Sequence, residues 1–348
     1  MDFRSILTKV RSKLRNSQLR NKIIRITHKF KLSSVYYLLI SNAFKGEQKR
    51  VLCGISQYYK DVDAPFLLRR NTHRLEKGLI MQPRRNVFAE SYILETVKAF
   101  DVYSTSLEPD RNLITWSHNI LKSYFSVVDI TNIIEESKNI FDHSLEKANI
   151  ALDNSISVPF KRGDSQTSNV SYDDLLKLSL RRRSIRWYQN KTVERDLIDA
   201  AIRVSLLSPS ACNRQPFRYQ IFDEPSIVKS VINIPGGTAG WSHSPPAVVA
   251  LIGQLNAFSE ERDKHVIYID SCLSAMSFMY ALETLGLGSC AINFPDIPSY
   301  HKKIQSVANL QSFETTIMLI ALGYPDDEAL VPSSVKKTLE NIRSYNIN

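Results

Sequence analysis

Between Leu175 and Phe222 four segments of different period follow one another, and their order leaves the chain few ways to fold. LLKLSL (175–180) is amphipathic and reads as the end of a helix, and RRRSIRWY (181–188) continues it as extended chain. From Glu194 to Leu207 the residues Leu197, Ile198, Ala201, Val204 and Leu207 share one face, which predicts a second helix. Ser208-Pro209 breaks that pattern, and FRYQIF (217–222) reads as a strand.

The extended string also carries a specific chemistry. Arg181, Arg182, Arg183 and Arg186 surround one hydroxyl, Ser184. A phosphate monoester dianion favours planar, bidentate guanidinium donors together with short hydroxyl donors, and arginine supplies the former without risk of deprotonation. Side chains alternate along extended chain, so Arg182, Ser184 and Arg186 point one way and Arg183 the other. Three donors then converge on one anion. The alternative is a solvated basic helix end, since cations also favour the last turn of a helix.

The second string, SPSACNRQPFRY (208–219), follows one helix later. Its small side chains let backbone donors approach a flat ring. Asn213 and Gln215 each carry a donor and an acceptor that match the pyrimidine edge of an isoalloxazine. An ordinary helix-to-strand loop accounts for the proline and the asparagine but not for the whole string.

Together the two strings resemble the opening of the nitroreductase family of FMN-dependent oxidoreductases, as Arg182-Arg183-Ser184-Ile185-Arg186 and Pro209-Ser210-Ala211-Cys212-Asn213-Arg214-Gln215-Pro216-Phe217. Further similarity follows in order. AGWSHSPPAVVALIG (239–253) resembles the segment in which proline precedes a buried strand. YIDSCLSAMSFMYALETLGLGSCAINF (268–294) resembles the long central helix ending in Gly-Leu-Gly, and IMLIALGYPDD (317–327) the last core strand. The resemblance spans roughly residues 170–345.

It implies a nitroreductase-like α+β fold, a mainly antiparallel sheet flanked by helices, and a homodimer with FMN sites at the interface and exchanged chain ends. Arg182, Ser184 and Arg186 are expected on the FMN phosphate and ribityl chain, with Arg183 nearby. Ser210, Asn213 and Gln215 are expected at the ring, often from the partner subunit, and Asn293 at its N5 and O4 edge. Lys336 stands where the family more often has a late arginine, and a lysine holds phosphate less directionally. The implied activity is hydride transfer from NAD(P)H through flavin N5 to a small acceptor such as a nitro compound or quinone, with no protein acid or base required. The alternatives are a specialised FMN oxidoreductase that takes electrons from a biosynthetic substrate without external NAD(P)H, and a flavin-free binding or scaffold relative. The N-terminal half resembles those of nitroreductase-like proteins from polysaccharide gene clusters, which makes a polysaccharide-related substrate one form of the first alternative.

Composition bounds the rest. With 348 residues and 43% hydrophobic residues the chain can bury a full core and holds more than one unit. We expect a basic amphipathic segment at 1–50, a mostly helical region at 51–165 and the FMN-binding domain at 166–348. Cys53, Cys212, Cys272 and Cys290 are far apart with no CxxC, which argues against zinc and against a secreted disulfide framework. No signal peptide is evident and no apolar run approaches the ~20 residues of a membrane helix, so a cytoplasmic enzyme is expected. GxxxxGK[ST], HExxH and GxSxG are absent.

Charge is concentrated at the start: residues 1–50 hold thirteen Lys or Arg against Asp2 and Glu47, in a chain of net +10. There Phe3, Ile6, Leu7, Val10 and Leu14 recur at helical spacing. Such a helix packs on the protein by its apolar face, lies on an anionic membrane surface at the inner face of the membrane, or, least expected, meets nucleic acid. VYYLLI (35–40) is expected to extend an apolar contact. His73, Arg74, Glu76 and Lys77, before Gly78 and Pro83-Arg84-Arg85, read either as a salt-bridged interdomain surface or as an anion contact roofing the flavin pocket. His243 is expected to be a turn residue.

Overall fold

The protein was analysed as a computed structural model that describes residues 18–41, 43–61, 65–147 and 157–346. The helix expected around Phe3–Leu14 lies outside the described residues.

Two units are built on separate cores. The first is helical: α1 (Gln18–Lys29), α2 (Lys45–Lys60), α3 (Pro65–Leu79), α4 (Ile93–Ser104), α5 (Arg111–Phe125) and α6 (Asn132–Lys147). Asp110 caps α5 by accepting from the backbone N–H of Asn112 and Leu113. The apolar faces of α3 to α6 close over one cluster in which Leu68, Leu75, Ile93, Val97, Ile120 and Tyr124 are fully buried. Of the apolar VYYLLI string, Tyr36 is buried while Tyr37, Leu38 and Leu39 are exposed, so it extends the expected contact by one side chain.

The second unit runs α7 (Tyr172–Arg181), α8 (Arg195–Ser205), β1 (Phe217–Phe222), α9 (Pro225–Ile232), β2 (Ala247–Gln254), α10 (Val266–Thr284), β3 (Gly288–Asn293), α11 (Pro298–Ala308) and β4 (Glu314–Gly323). A capping box formed by Ser171 and Asp174 starts α7. The four strands form an antiparallel sheet of order β1-β2-β4-β3. β2 and β4 are central and covered on both faces, which is why AVVALIGQ and ETTIMLIALG are almost wholly buried and lack a polar-out alternation. On one face Val249, Leu251, Ile320 and Leu322 meet Ile198 and Ala201 of α8 and Ala275 and Phe278 of α10. On the other, Val248, Ala250 and Leu319 meet Val231 and Ile232 of α9 and Ile304 of α11. The expected α+β architecture, an antiparallel sheet flanked by helices and preceded by a helical region, is the one observed.

α10 departs from one expectation. The helix Glu261–Thr284 is long and apolar enough to cross a membrane by length and composition. Its apolarity is used inside the protein, however: Ile267, Ser274, Ala275, Phe278 and Leu282 are buried while Tyr268, Ile269 and Leu273 are exposed.

The helical unit is joined to the sheet unit by α2. Gly54 lies so close to the turn Leu255–Ala257 that an added Cβ would stand 2.7 Å from the Leu255 backbone. Arg50 pairs with Asp296 at 2.9 Å, His301 approaches the same carboxylate at 2.8 Å, and Lys264 approaches Glu47 at 3.7 Å. Beside it, α3 packs across the turn Ala211–Asn213.

Candidate functional site

The arginine string is held against the edge of the sheet by backbone pairing. Arg182 caps α7, and the next residues run beside β3, where Ser184 bridges Ser289 and Ile185 N–H donates to the Ser289 carbonyl at 3.0 Å. Gly288 permits this approach, since a Cβ there would stand 2.7 Å from the Ile185 side chain. Ile185 packs into the core below, and Tyr188 fixes the far end by donating from its hydroxyl to the Ile185 carbonyl at 2.7 Å.

The alternation expected of extended chain agrees with what surrounds Cys290. Its thiol is pushed up by burial, which is partly opposed by Arg186, by a hydrogen bond with Ser184 and by Arg182. Arg181 points elsewhere, to Glu283 at 3.0 Å. Among the described residues Arg182, Arg183 and Arg186 make no ion pair; Arg183 donates only to the Arg182 carbonyl at 3.2 Å. Arg182 and Arg186 with the Ser184 hydroxyl between them, and no carboxylate paired to either among the described residues, are a donor set of the kind a phosphate takes.

The second string forms a loop with backbone strain. Cys212, Asn213 and Gln215 have φ of 52°, 51° and 50°, the left-handed region that costs an L-residue energy and that clusters at ligand sites. Three contacts hold it. Gln215 N–H donates to Ser210 Oγ at 3.1 Å, the Gln215 amide donates to Asn213 Oδ1 at 3.0 Å, and Ala211 N–H donates to Asp270 of α10 at 3.0 Å. Asp270 is 3% exposed. Burial pushes its carboxyl up, against the opposing pull of the Ala211 N–H and Arg214.

The two strings do not meet within one protomer. Gln215 leads into β1 at one edge of the sheet and Ser184 pairs with β3 at the other, three strand spacings or about 14 Å away. They also lie at opposite ends of α10: the loop is tied to Asp270 and the string to Glu283, thirteen residues or about 20 Å along the helix. That separation exceeds a ribityl chain.

Asn293 is exposed at the end of β3, four residues and about 13 Å beyond Ser289 along the same strand. Lys336 lies in the exposed extended segment that follows β4. His243 is exposed and stacks edge-on with Trp187 at 5.6 Å. All four cysteines are free. In α3, His73 contacts Glu76 at 3.2 Å, Trp116 donates to Glu76 at 3.3 Å and Arg74 stacks 3.6 Å over Tyr92. These members of the 71–88 cluster are therefore engaged within the helical unit.

Sequence reasoning did not single out Asp270, Arg70 or Arg214. The signal for Asp270 was a lone acid in an apolar helix. Arg214 stood inside the quoted loop string, between two residues assigned to the ring.

The chain is similar to known proteins over its C-terminal half. The Nitroreductase family model matches residues 180–234 and 228–324. Iodotyrosine deiodinase of Nematostella vectensis is 23% identical over 198 residues, covering 49% of this chain and 74% of its own. An NADH dehydrogenase of Thermus thermophilus is 24% identical over 185 residues, covering 44% of this chain and 88% of its own. Among solved structures, an FMN-dependent nitroreductase from Clostridium difficile superposes with a TM-score of 0.43 at 20% identity, covering 49% of this chain and 99% of its own. The C-terminal half of the chain thus matches the Nitroreductase family model, and that similarity supports an oxidoreductase of the FMN-dependent kind.

Proposed function

We propose that two copies of this chain form two FMN sites, each taking its phosphate string from one protomer and its ring loop from the other, and that the protein reduces a small organic acceptor at the expense of NAD(P)H. The single observation that carries the reading is the separation of the strings within one protomer, beside guanidinium groups that pair with no carboxylate among the described residues. The exposed apolar residues Ile269 and Leu273 of α10, Val204 and Leu207 around the end of α8, and Leu330 and Val335 of the C-terminal segment supply a surface for a second copy.

A bound flavin supplies hydride chemistry at its N5. The residues of the chain bind and orient. Arg182, Ser184 and Arg186 hold the phosphate dianion, and Arg183 donates nearby. Asn293 marks the ring end of the β3 edge. Ser210, Asn213 and Gln215 of the other copy meet the pyrimidine edge with donors and acceptors held by the strained loop. Lys336 closes the phosphate site as a point charge. The NAD(P)H reading is supported by the likeness to an NADH dehydrogenase, and a cytoplasmic location with residues 1–50 against the inner face of the membrane is proposed on the charge of that segment.

The absorption spectrum of the purified protein tests the cofactor. Flavin bands with released FMN, and their bleaching by NADH without oxygen, are the expected result. The double variant Arg182→Ala/Arg186→Ala should keep its fold by circular dichroism and lose the bands. Full FMN retention by that variant would refute the phosphate assignment, and flavin bands that NADH leaves unchanged would favour a substrate that supplies the electrons itself.

A further inference from the structure

Arg214 is a buried charge without a partner for its guanidinium among the described residues. It is 7% exposed, its Nε is buried without a partner, and its side chain makes no hydrogen bond or ion pair among the described residues. Its guanidinium rests 4.9 Å from the centre of the Phe258 ring. Burial depresses its proton affinity; the neighbouring Cys212 favours its charge, and the group that opposes it is a second cation, Arg70 of α3. Arg70 itself has no ion-pair partner among the described residues and approaches the Tyr58 hydroxyl of α2, which Arg214 also faces.

The acids nearby are committed or distant. Asp270 accepts from Ala211 N–H, Glu95 accepts from the Asn71 amide at 2.9 Å, and Asp263 acts on Arg214 more weakly than Arg70 or Tyr58 does. Two guanidinium groups brought together, one of them buried and neither hydrogen-bonded to a carboxylate, are unfavourable in a folded protein unless an anion accompanies them. The site also has a definite address. Arg214 lies between Asn213 and Gln215 in the strained loop, and α3 carries Arg70 onto that loop from the helical unit.

We propose that Arg70 and Arg214, with the Tyr58 hydroxyl, form a receptor for an oxyanion, a carboxylate or phosphate ester, carried by the substrate of this domain. This rests on the reading above, in which the loop flanks the flavin ring, and it gives the helical unit a role in recognition, because that unit brings the second half of a charge clamp that the nitroreductase domain alone lacks. Bidentate recognition by two planar cations selects an anionic acceptor over a neutral one of the same shape.

The test is calorimetric titration of the full-length FMN-loaded protein with benzoate, phenyl phosphate and neutral benzyl alcohol. Binding of benzoate or phenyl phosphate but not of benzyl alcohol is expected, and whichever anion binds tighter identifies the source of the charge. Arg70→Met and Arg214→Met should each weaken that anion by about ten- to a hundredfold, with FMN content unchanged, and Arg214→Lys should recover part of the loss. Arg70→Met alters only the helical unit, so it reads the proposal even where a change in the loop disturbs folding. Equal affinity for the anion in wild type and Arg70→Met, or benzyl alcohol binding as well as benzoate, would overturn the receptor. Loss of FMN from Arg70→Met would also overturn it, by assigning that charge to the cofactor. A wild-type protein that purifies without FMN refutes the earlier reading instead, and anion titration of that flavin-free protein separates the two failures.

Discussion

Removing the Asp270 carboxylate should loosen the ring loop without unfolding the domain. Holding Cys212 and Gln215 in the left-handed region costs roughly 1–2 kcal/mol each, and Asn213 somewhat less. Two backbone hydrogen bonds offset that strain. The bond from Gln215 N–H to Ser210 Oγ contributes about 1 kcal/mol, and the charge-assisted bond from Ala211 N–H to Asp270 about 1.5–3 kcal/mol. Asp270→Ala removes the larger and strands a donor in the space it leaves. Amide exchange over residues 208–216 should then accelerate about ten- to a hundredfold, while the amides of β2 and β4 keep their protection.

Asp270→Asn keeps an acceptor oxygen and should preserve most of the protection. It should also remove a pH slope. The folded-state carboxyl titrates above its ordinary value because of burial. Its contribution is therefore favourable in acid and is lost as pH rises from the ordinary aspartate range through the raised value, after which the penalty is complete. Urea melts between pH 3 and 8 should show wild type losing more stability than Asp270→Asn over that rise. Unchanged exchange in Asp270→Ala, or the same pH slope in wild type and Asp270→Asn, would refute the reasoning.

Three further outcomes are expected. Gly54→Ala places a methyl 2.7 Å from the Leu255 backbone, which should cost about 1–3 kcal/mol and show as earlier proteolysis between the two units. Glu314 takes a bidentate pair from Arg218 at 2.7 and 2.8 Å; burial pushes its carboxyl up, but the Arg218 and Gln311 donors outweigh burial and hold it below the ordinary glutamate range. Its contribution is thus present above that range and lost as pH falls through the folded value, so Glu314→Gln should destabilise at pH 7 and flatten the acid limb of a denaturation profile. The full chain should co-sediment with anionic vesicles less as salt rises, and deletion of residues 1–17 should abolish the association if that basic segment carries it; indifference to salt and to lipid charge would end the membrane proposal.

Much of the fold was legible because local signals agree with tertiary roles. The break at Ser208-Pro209, the strand FRYQIF and the buried runs AVVALIG and IMLIALG each sit where the sheet needs them. Periodicity resolved helices best where one face meets solvent, as in α7 and α8. It was least informative for α10, whose exposed Tyr268, Ile269 and Leu273 are as apolar as its buried face. There the composition of a membrane span and that of a core helix with a second apolar face are the same. Packing, which no window of sequence contains, separates them.

The site was legible to the extent that its chemistry lies in consecutive residues. Arg182, Ser184 and Arg186 could be assigned to one face because extended chain alternates, and the loop could be found because left-handed backbone was written there in small and amide residues. Arg70 and Arg214 could not be joined, being 144 positions apart in the sequence and brought together by the crossing of α3 over the loop. Nor does arginine at 214 announce burial, since guanidinium groups are usually solvated. The charges that sequence marks most loudly, His73, Arg74 and Glu76, settle contacts inside the helical unit. A buried charge without a partner among the described residues, Arg214 between two residues assigned to the ring, is the one by which the N-terminal half reaches the chemistry of the C-terminal half.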